Sequence, residues 1–450
     1  MLKFHHITDT HYYNCEKLGF SDDKDQVTRN ESGAVLDAIF DKLAACGDTD
    51  LVLISGDLCN TGDRANSEGF IPKLRDLQRR GKRVFLITAS HDYYKADHAD
   101  DGEDGPRADM VYRDELYDLY YEFGFNRAIA RFEPDPLSYV AQLAPGYRLL
   151  CLNNDDRGDR TAALCGWAVE QIEKAKSEGQ FIFGMHHYPI LPPSPIYPLV
   201  APRDMIDPAN GVRDRLADAG LRFIFTGHTH MQNITYIDTE AGNRLYEINT
   251  GAATGYDAPI RYVTIGDESV TIKTETIDSF DWDLQGKSVS QYLSDSFDRL
   301  LNSIFEAANT DVEQMLDIVN SAFRVNKAKL MKHKLMLTLG GKFLYRLTLG
   351  GAGRLLLCPG KIHKSVKKVR VKDLLMEIIR NIYQGDEPYS EETPMGAAVY
   401  ALVGRIERLA KPALKNVRLP FESVQGFVMS LIYDGGLPDN EAVLPLHTHL

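Results

Sequence analysis

The segment Leu51-Val52-Leu53-Ile54-Ser55-Gly56-Asp57-Leu58-Cys59-Asn60 opens with four apolar residues in a row. That run reads as a buried strand, and Ser55-Gly56 ends it just before a carboxylate, Asp57. One Asp after a buried strand says little. Four other segments, however, supply Asp, His or a polar oxygen at a strand end in the same way: Asp9-Thr10-His11, Ser90-His91-Asp92, His187-Tyr188-Pro189 and Gly227-His228-Thr229-His230.

Working outward, strand patterns fall near residues 2–8, 51–56, 83–88, 147–153, 181–186 and 222–226. Amphipathic stretches separate several of them: Gly33 to Ala45, Glu68 to Arg80, Arg107 to Phe123 and Gly166 to Lys176. This alternation predicts a parallel or mixed sheet covered by helices. Functional groups in such folds collect at the carboxyl ends of strands, where all five segments lie. After His230 the pattern changes to short strands over Gln232–Asp238, Arg244–Asn249, Arg261–Ile265 and Val270–Glu275, read as antiparallel hairpins closing a second sheet.

A chain of 450 residues exceeds one ordinary core, so two domains are expected. The boundary is placed near Asp278-Ser279, giving domains 1–278 and 279–450. Helices are expected in the second over Ser290–Ala308, Val312–Phe323, Val371–Tyr383 and Met395–Leu409. Six scattered cysteines with no CxxC pair read as reduced, buried thiols, and the expected location is cytoplasmic. Neither a leader pattern nor a run of 18 apolar residues is found, so no secretory signal and no membrane span are expected.

The strand-end residues suit one chemistry. Two divalent cations about 3.5–4 Å apart can clamp a phosphoryl group, activate a hydroxide and stabilise a leaving oxygen. Such a pair needs a shared carboxylate, here Asp57, and imidazoles for metals of borderline softness. Asp9 and His11 alternate on one strand end and project to one rim; His228 and His230 repeat the spacing.

Taken together, residues 1 to about 275 resemble the calcineurin-like metallophosphoesterases. The matching motifs are Asp9-Thr10-His11, Gly56-Asp57-Leu58-Cys59-Asn60, Ala89-Ser90-His91-Asp92, His187-Tyr188-Pro189 and Gly227-His228-Thr229-His230. The resemblance implies an α/β fold, a four-layer αββα sandwich of two mixed sheets, followed here by a smaller, mostly helical domain. It implies two divalent metal ions (Mn, Fe or Zn), with Asp9, His11 and His230 on one, His187 and His228 on the other, and Asp57 between them. It implies that His91 serves as electrostatic stabiliser or general acid beside the leaving group, with Asp92 orienting its ring. The reaction implied is hydrolysis of a phosphate monoester or diester, a small molecule or nucleotide, by metal-activated hydroxide. One position departs from the family: Ser90 stands where an asparagine is usual, a shorter and poorer ligand, so a weakened second metal site is expected.

Of the paired histidines, the spacing to Pro189 favours His187 over His186 as ligand. His5 and His6 are expected to pack or to support the ligands, as are Asn60 and Asn249. His447-Thr448-His449 follows no strand and reads as a disordered tail. The loop Asp97–Asp109 is acidic and either overhangs the site or is a solvated insertion.

The net charge of −13 conceals a segregation. Residues 323–372 contain about fourteen Lys and Arg and no Asp or Glu, which leaves 37 basic against 64 acidic residues elsewhere. Apolar runs and the pairs Gly340-Gly341 and Gly350-Gly351, read as helix ends or tight loops, interrupt this block. Its alternatives are cations paired with the acidic first domain, a nucleic-acid surface, a peripheral membrane surface, or substrate contact. Accordingly a nuclease, and a non-catalytic scaffold with a metal site weakened at Ser90, stand as rival functions.

Overall fold

The computed structural model describes residues 1–21, 26–95, 109–154, 160–200, 204–206, 211–323, 327–332, 334–414 and 422–446. The acidic-loop residues 97–108 and the tail histidines therefore lie outside the described residues.

Thirteen strands are described: β1 (Leu2–Ile7), β2 (Leu51–Ser55), β3 (Arg83–Ile87), β4 (Ala128–Arg131), β5 (Tyr139–Ala144), β6 (Tyr147–Leu152), β7 (Phe181–His186), β8 (Phe223–Thr226), β9 (Asn233–Asp238), β10 (Arg244–Asn249), β11 (Ile260–Ile265), β12 (Ser269–Glu275) and β13 (Glu441–Pro445). They form two mixed sheets, ordered β13-β12-β11-β1-β2-β3 and β4-β5-β6-β7-β8-β10-β9. Every residue of β2 is buried, as the unbroken apolar run requires for a central strand with parallel neighbours on both sides.

The sheets meet through aromatic rings. Phe4 of β1 stacks on Phe183 of β7 with centroids 5.2 Å apart, and meets Phe225 of β8 edge-on at 5.3 Å. On the other face of the second sheet, Leu150, Ile182, Ile224 and Leu245 pack with Ala168 and Ile172 of helix Arg160–Ser177 and Leu216 of helix Val212–Ala219. Helix Ser32–Ala45 buries Val35, Leu36, Ile39, Phe40 and Leu43, and Phe40 reaches Phe70 of helix Arg64–Arg79 at 6.2 Å. The result is the expected αββα sandwich.

Three local expectations change. The four late strands do not all close the second sheet. β9 and β10 join it, β10 pairing parallel with β8, whereas β11 and β12 extend the first sheet from β1. The crossing is fixed by Arg261, fully buried, whose guanidinium donates to the Asn249 carbonyl at 2.9 Å and to Thr274 Oγ1 at 2.7 Å. Between Arg107 and Phe123 the described residues form only the short turns Arg113–Glu115 and Leu116–Leu119, and Gly124 (φ 118) ends the segment. The pair Gly340-Gly341 sits inside helix Lys334–Arg346, not at its end, whereas Gly350-Gly351 lies in the first turn of helix Leu349–Leu355.

Backbone packing divides the chain into two compact units, the second comprising Ser194–Ala201 and Phe297–Pro438. The division falls at Ser296, past the expected Asp278-Ser279, because Tyr292 still donates to Glu31 of the first unit at 2.7 Å. The chain also returns after Pro438, adding β13 antiparallel to β12. The larger part of the second unit, Phe297–Pro438, is thus an excursion between β12 and β13. It is helical, with a core built on Leu349, Ile362, Val366, Leu374, Ala398 and Leu402. Among the described residues no helix is long and apolar enough to cross a membrane.

Replacing Phe4 with Ala should remove the ring that joins the sheets and cost about 3–5 kcal/mol. Urea unfolding of the variant should show a lower midpoint with an unchanged slope.

Candidate metal centre

Five strand ends meet at one rim of the sandwich, and the backbone there is held in an unusual conformation. Asp9 (φ 50), His11 (φ 37), Asp57 (φ 47), His228 (φ 68) and His230 (φ 57) all lie in the left-handed region. For residues with a side chain this conformation is costly and clusters at functional sites. The turns interlock. Asp9 N donates to Gly56 O, His11 N to Asp57 O and Gly227 N to His187 O, each at 3.0 Å. Gly227 is required by close approach: a Cβ there would lie 2.1 Å from Thr8 Oγ1 and 2.4 Å from Asp9 Oδ2.

Ligand atoms converge in two groups, Asp9–His11–His230 and Asp57–His187–His228, each with its atoms within 4.8 Å of one another. In the first, the Nε2 atoms of His11 and His230 are 3.1 Å apart, and Asp9 Oδ1 lies 3.6 and 3.3 Å from them. In the second, His187 Nε2 is 3.0 Å from Asp57 Oδ2. Asp57 Oδ2 is also 4.0 Å from His11 Nε2, which puts this carboxylate between the groups.

The donor set fits cations. Asp9 Oδ1, His187 Nε2, His11 Nδ1, His230 Nδ1 and Ser90 Oγ are buried without a hydrogen-bond partner, against the general rule for buried polar atoms. His187 Nδ1 donates to Ser55 O at 2.8 Å, which fixes the tautomer and turns Nε2 toward the carboxylates. Among the described residues, Asp9 and Asp57 have only histidines at ion-pair distance. Burial opposes ionisation of both, yet the imidazoles, His187 first, hold both carboxyls well below the usual range. Burial likewise opposes protonation of His187, but Asp57 and Asp9 override it and lift the ring to about 9. The two buried anions demand positive charge at that point.

The chain's family follows from a comparison with known proteins. The model for calcineurin-like phosphoesterases matches residues 2–232, just over half of the chain. The chain belongs to this family. No curated protein matches it significantly. Among solved structures, a dimetal phosphatase from Danio rerio is similar at 11% identity and a TM-score of 0.43, over 61% of this chain and 96% of that one. The sulfate thiohydrolase SoxB of Thermus thermophilus is similar at 12% identity and 0.35, over 67% and 60%. The NAD nucleotidase of Haemophilus influenzae is similar at 12% identity and 0.34, over 78% and 61%.

Within this family member, the structure brings Asp9, His11, Asp57, His187, His228 and His230 together and buries Ser90 completely. His91 stands beside them, its ring edge-on to His11 with centroids 4.9 Å apart, while its backbone N–H donates to Asp57 Oδ1 at 3.0 Å. Asp92 does not orient that ring. Its carboxylate accepts from Cys59 N at 2.8 Å and Ala89 N at 2.7 Å, bracing the loop, while His91 Nδ1 pairs with the Asn60 carbonyl at 2.7 Å. His186 Nδ1 pairs with Tyr188 O at 2.5 Å, leaving His187 to face the carboxylates. His6 bridges Ser55 Oγ at 2.9 Å and Thr250 Oγ1 at 3.1 Å, while His5 packs on Tyr262; burial lowers these rings to about 3 and 4. Burial also pushes the Cys59 thiol well up, as suits an inert packing residue.

Two residues were not foreseen. Asp204 approaches His228 Nε2 at 3.9 Å, from a loop without any motif. Glu247, at the centre of β10, accepts from Ile190 N at 3.0 Å, Leu191 N at 2.6 Å and Thr226 Oγ1 at 2.7 Å. Asn249 Nδ2 in turn donates to Thr226 Oγ1 at 3.0 Å and Gly227 O at 2.8 Å, and Asn249 Oδ1 accepts from Thr229 Oγ1 at 2.6 Å. This chain of bonds ties the turn carrying His228 and His230 to the segment following His187.

Burial lifts the Glu247 carboxyl to about 7 although its three donors favour the anion. The unfolded chain gives up this proton near 4.5. The folded state therefore binds the proton more tightly, and stability falls as pH rises from about 4.5 to 7, by roughly 3 kcal/mol. Whatever stability Glu247→Gln loses overall, denaturation midpoints against pH should show the wild type declining relative to the variant across that window and running parallel to it above pH 8.

Proposed function

We propose that this chain is a metal-dependent phosphoric ester hydrolase acting on a phosphate monoester or diester, with two divalent cations of Mn, Fe or Zn type. The observation that carries the reading is the pair of like ligand groups, each one carboxylate and two imidazoles, with buried ligand atoms that lack partners. Asp9, His11 and His230 would hold one cation, His187 and His228 the other, and Asp57 would lie between them. Cations bound there supply charge neutralisation for a phosphoryl group and make water a stronger acid.

The chain's own residues prepare the rest. Asp57 and Asp9 stay ionised, so the ligand atoms are available near neutral pH. The Asn60 carbonyl holds the proton of His91 on Nδ1, which makes Nε2 the atom that exchanges a proton with the leaving oxygen. Asp57 Oδ1, by accepting from His91 N, sets that ring beside the ligands. Asp92 acts by positioning the same loop.

Apo-protein titrated with Mn²⁺ should hydrolyse bis(p-nitrophenyl) phosphate or p-nitrophenyl phosphate, and the preferred ester defines its class. Asp57→Asn should cut turnover by about 100-fold or more, since loss of mere supporting partners already costs 10–100-fold. It should also lower the metal bound per chain, read by elemental analysis. Two cations per chain with no turnover of either ester would remove the hydrolase reading.

A further inference from the structure

The second unit carries an outward apolar surface set in cations. In Leu355-Leu356-Leu357 only the middle residue is anchored: Leu356 packs on the helical core, and its carbonyl accepts from Arg405 Nε at 3.0 Å. Its neighbours point away, Leu355 61% and Leu357 78% exposed. The turn is fixed by Cys358 N donating to Gly353 O at 2.7 Å, and Leu357 is held at φ 57, a conformation that L residues avoid. A leucine that is both exposed and left-handed brings no folding gain; glycine or asparagine would suit the turn better.

The surroundings select the partner. Lys361, Lys364, Lys367 and Lys368 follow within eleven residues, all exposed, and among the described residues none of them has an ion-pair partner. Helix Lys334–Arg346 repeats the theme. Leu335 and Leu339, 75% and 63% exposed, share one stripe with the exposed Lys342 and Arg346. Leucines flanked by lysines match an anionic bilayer surface, where side chains enter the headgroup boundary and cations meet lipid phosphates. A nucleic-acid strand would reward aromatic platforms, and among the described side chains of this segment the exposed large apolar ones are leucines.

We infer that the turn Leu355–Leu357 with the lysines of residues 361–368 is a docking surface for anionic lipid, which holds the protein peripherally on a membrane. The inference is independent of the hydrolase reading, since no residue in it belongs to the metal centre.

The full chain should co-sediment with vesicles of 30% phosphatidylserine in phosphatidylcholine at 0.1 M salt, and not with pure phosphatidylcholine. Leu357→Ser should weaken this partitioning about tenfold, the lower end for withdrawing a leucine side chain from an apolar phase. Lys361→Glu with Lys364→Glu should weaken it at least as much, with more effect at low than at high salt. Because all these side chains are exposed, circular dichroism and ester hydrolysis should be unchanged in both variants. Failure to bind anionic vesicles overturns the inference. So does binding that responds to the lysines but not to Leu357, and so does tighter binding of a single-stranded oligonucleotide that depends on the same lysines.

Discussion

Two buried carboxylates, Asp9 and Asp57, lie within 4 Å of imidazoles and have no lysine or arginine at ion-pair distance among the described residues. Burying an ion costs several kcal/mol even after relaxation, and each left-handed side-chain residue adds about 1–2 kcal/mol. Five such residues share this rim. The fold tolerates the arrangement because each turn is tied to another turn. The end of β1 bonds to the end of β2, the end of β8 to the end of β7, and Ala253 N reaches back to Thr8 O at 2.9 Å. The strands below are buried and aromatic, so the rim cannot relax without breaking the contact between sheets.

Beneath the rim lies a second polar layer in the middle of a hydrophobic sheet. Glu247, Thr226, Asn249 and Thr229 form a directed series in which each donor finds an acceptor. Arg261 joins it by donating to the Asn249 carbonyl and also to the backbone of Asp439, where the chain returns. The same guanidinium therefore supports the last ligand turn and secures the strand that follows the excursion. A half-satisfied network would be worse than an apolar one, which accounts for how fully these four side chains are partnered.

The strands that carry the ligands were legible because each combined a continuous apolar run with an abrupt polar end. Leu51–Ser55 and Phe223–Thr226 are of this kind. Sheet membership after His230 was not legible, since Arg244–Asn249 and Ile260–Ile265 look alike locally and differ in partner only because Arg261 fixes where the chain crosses. No motif marks Glu247 within the expected strand Arg244–Asn249, although both faces of β10 are covered. Asp92 was legible as a residue of the site, expected to orient the His91 ring, but not as a brace of the loop, because its bonds to Cys59 N and Ala89 N depend on a fold that brings residues 59 and 89 together. The strand Glu441–Pro445 was missed because its five residues carry only a weak alternating pattern.

The two ligand groups are alike in composition, one carboxylate and two imidazoles each, so donor chemistry alone does not distinguish them. Their supports differ. His187 is locked by the Ser55 carbonyl, and Glu247 holds the chain just after it through Ile190 and Leu191. His11 and His230 have no such bond at Nδ1. Supporting bonds to a ligand raise its basicity and fix its aim. The group containing His187 is therefore the better prepared of the two. Unequal support thus separates two groups whose donor atoms are the same in kind.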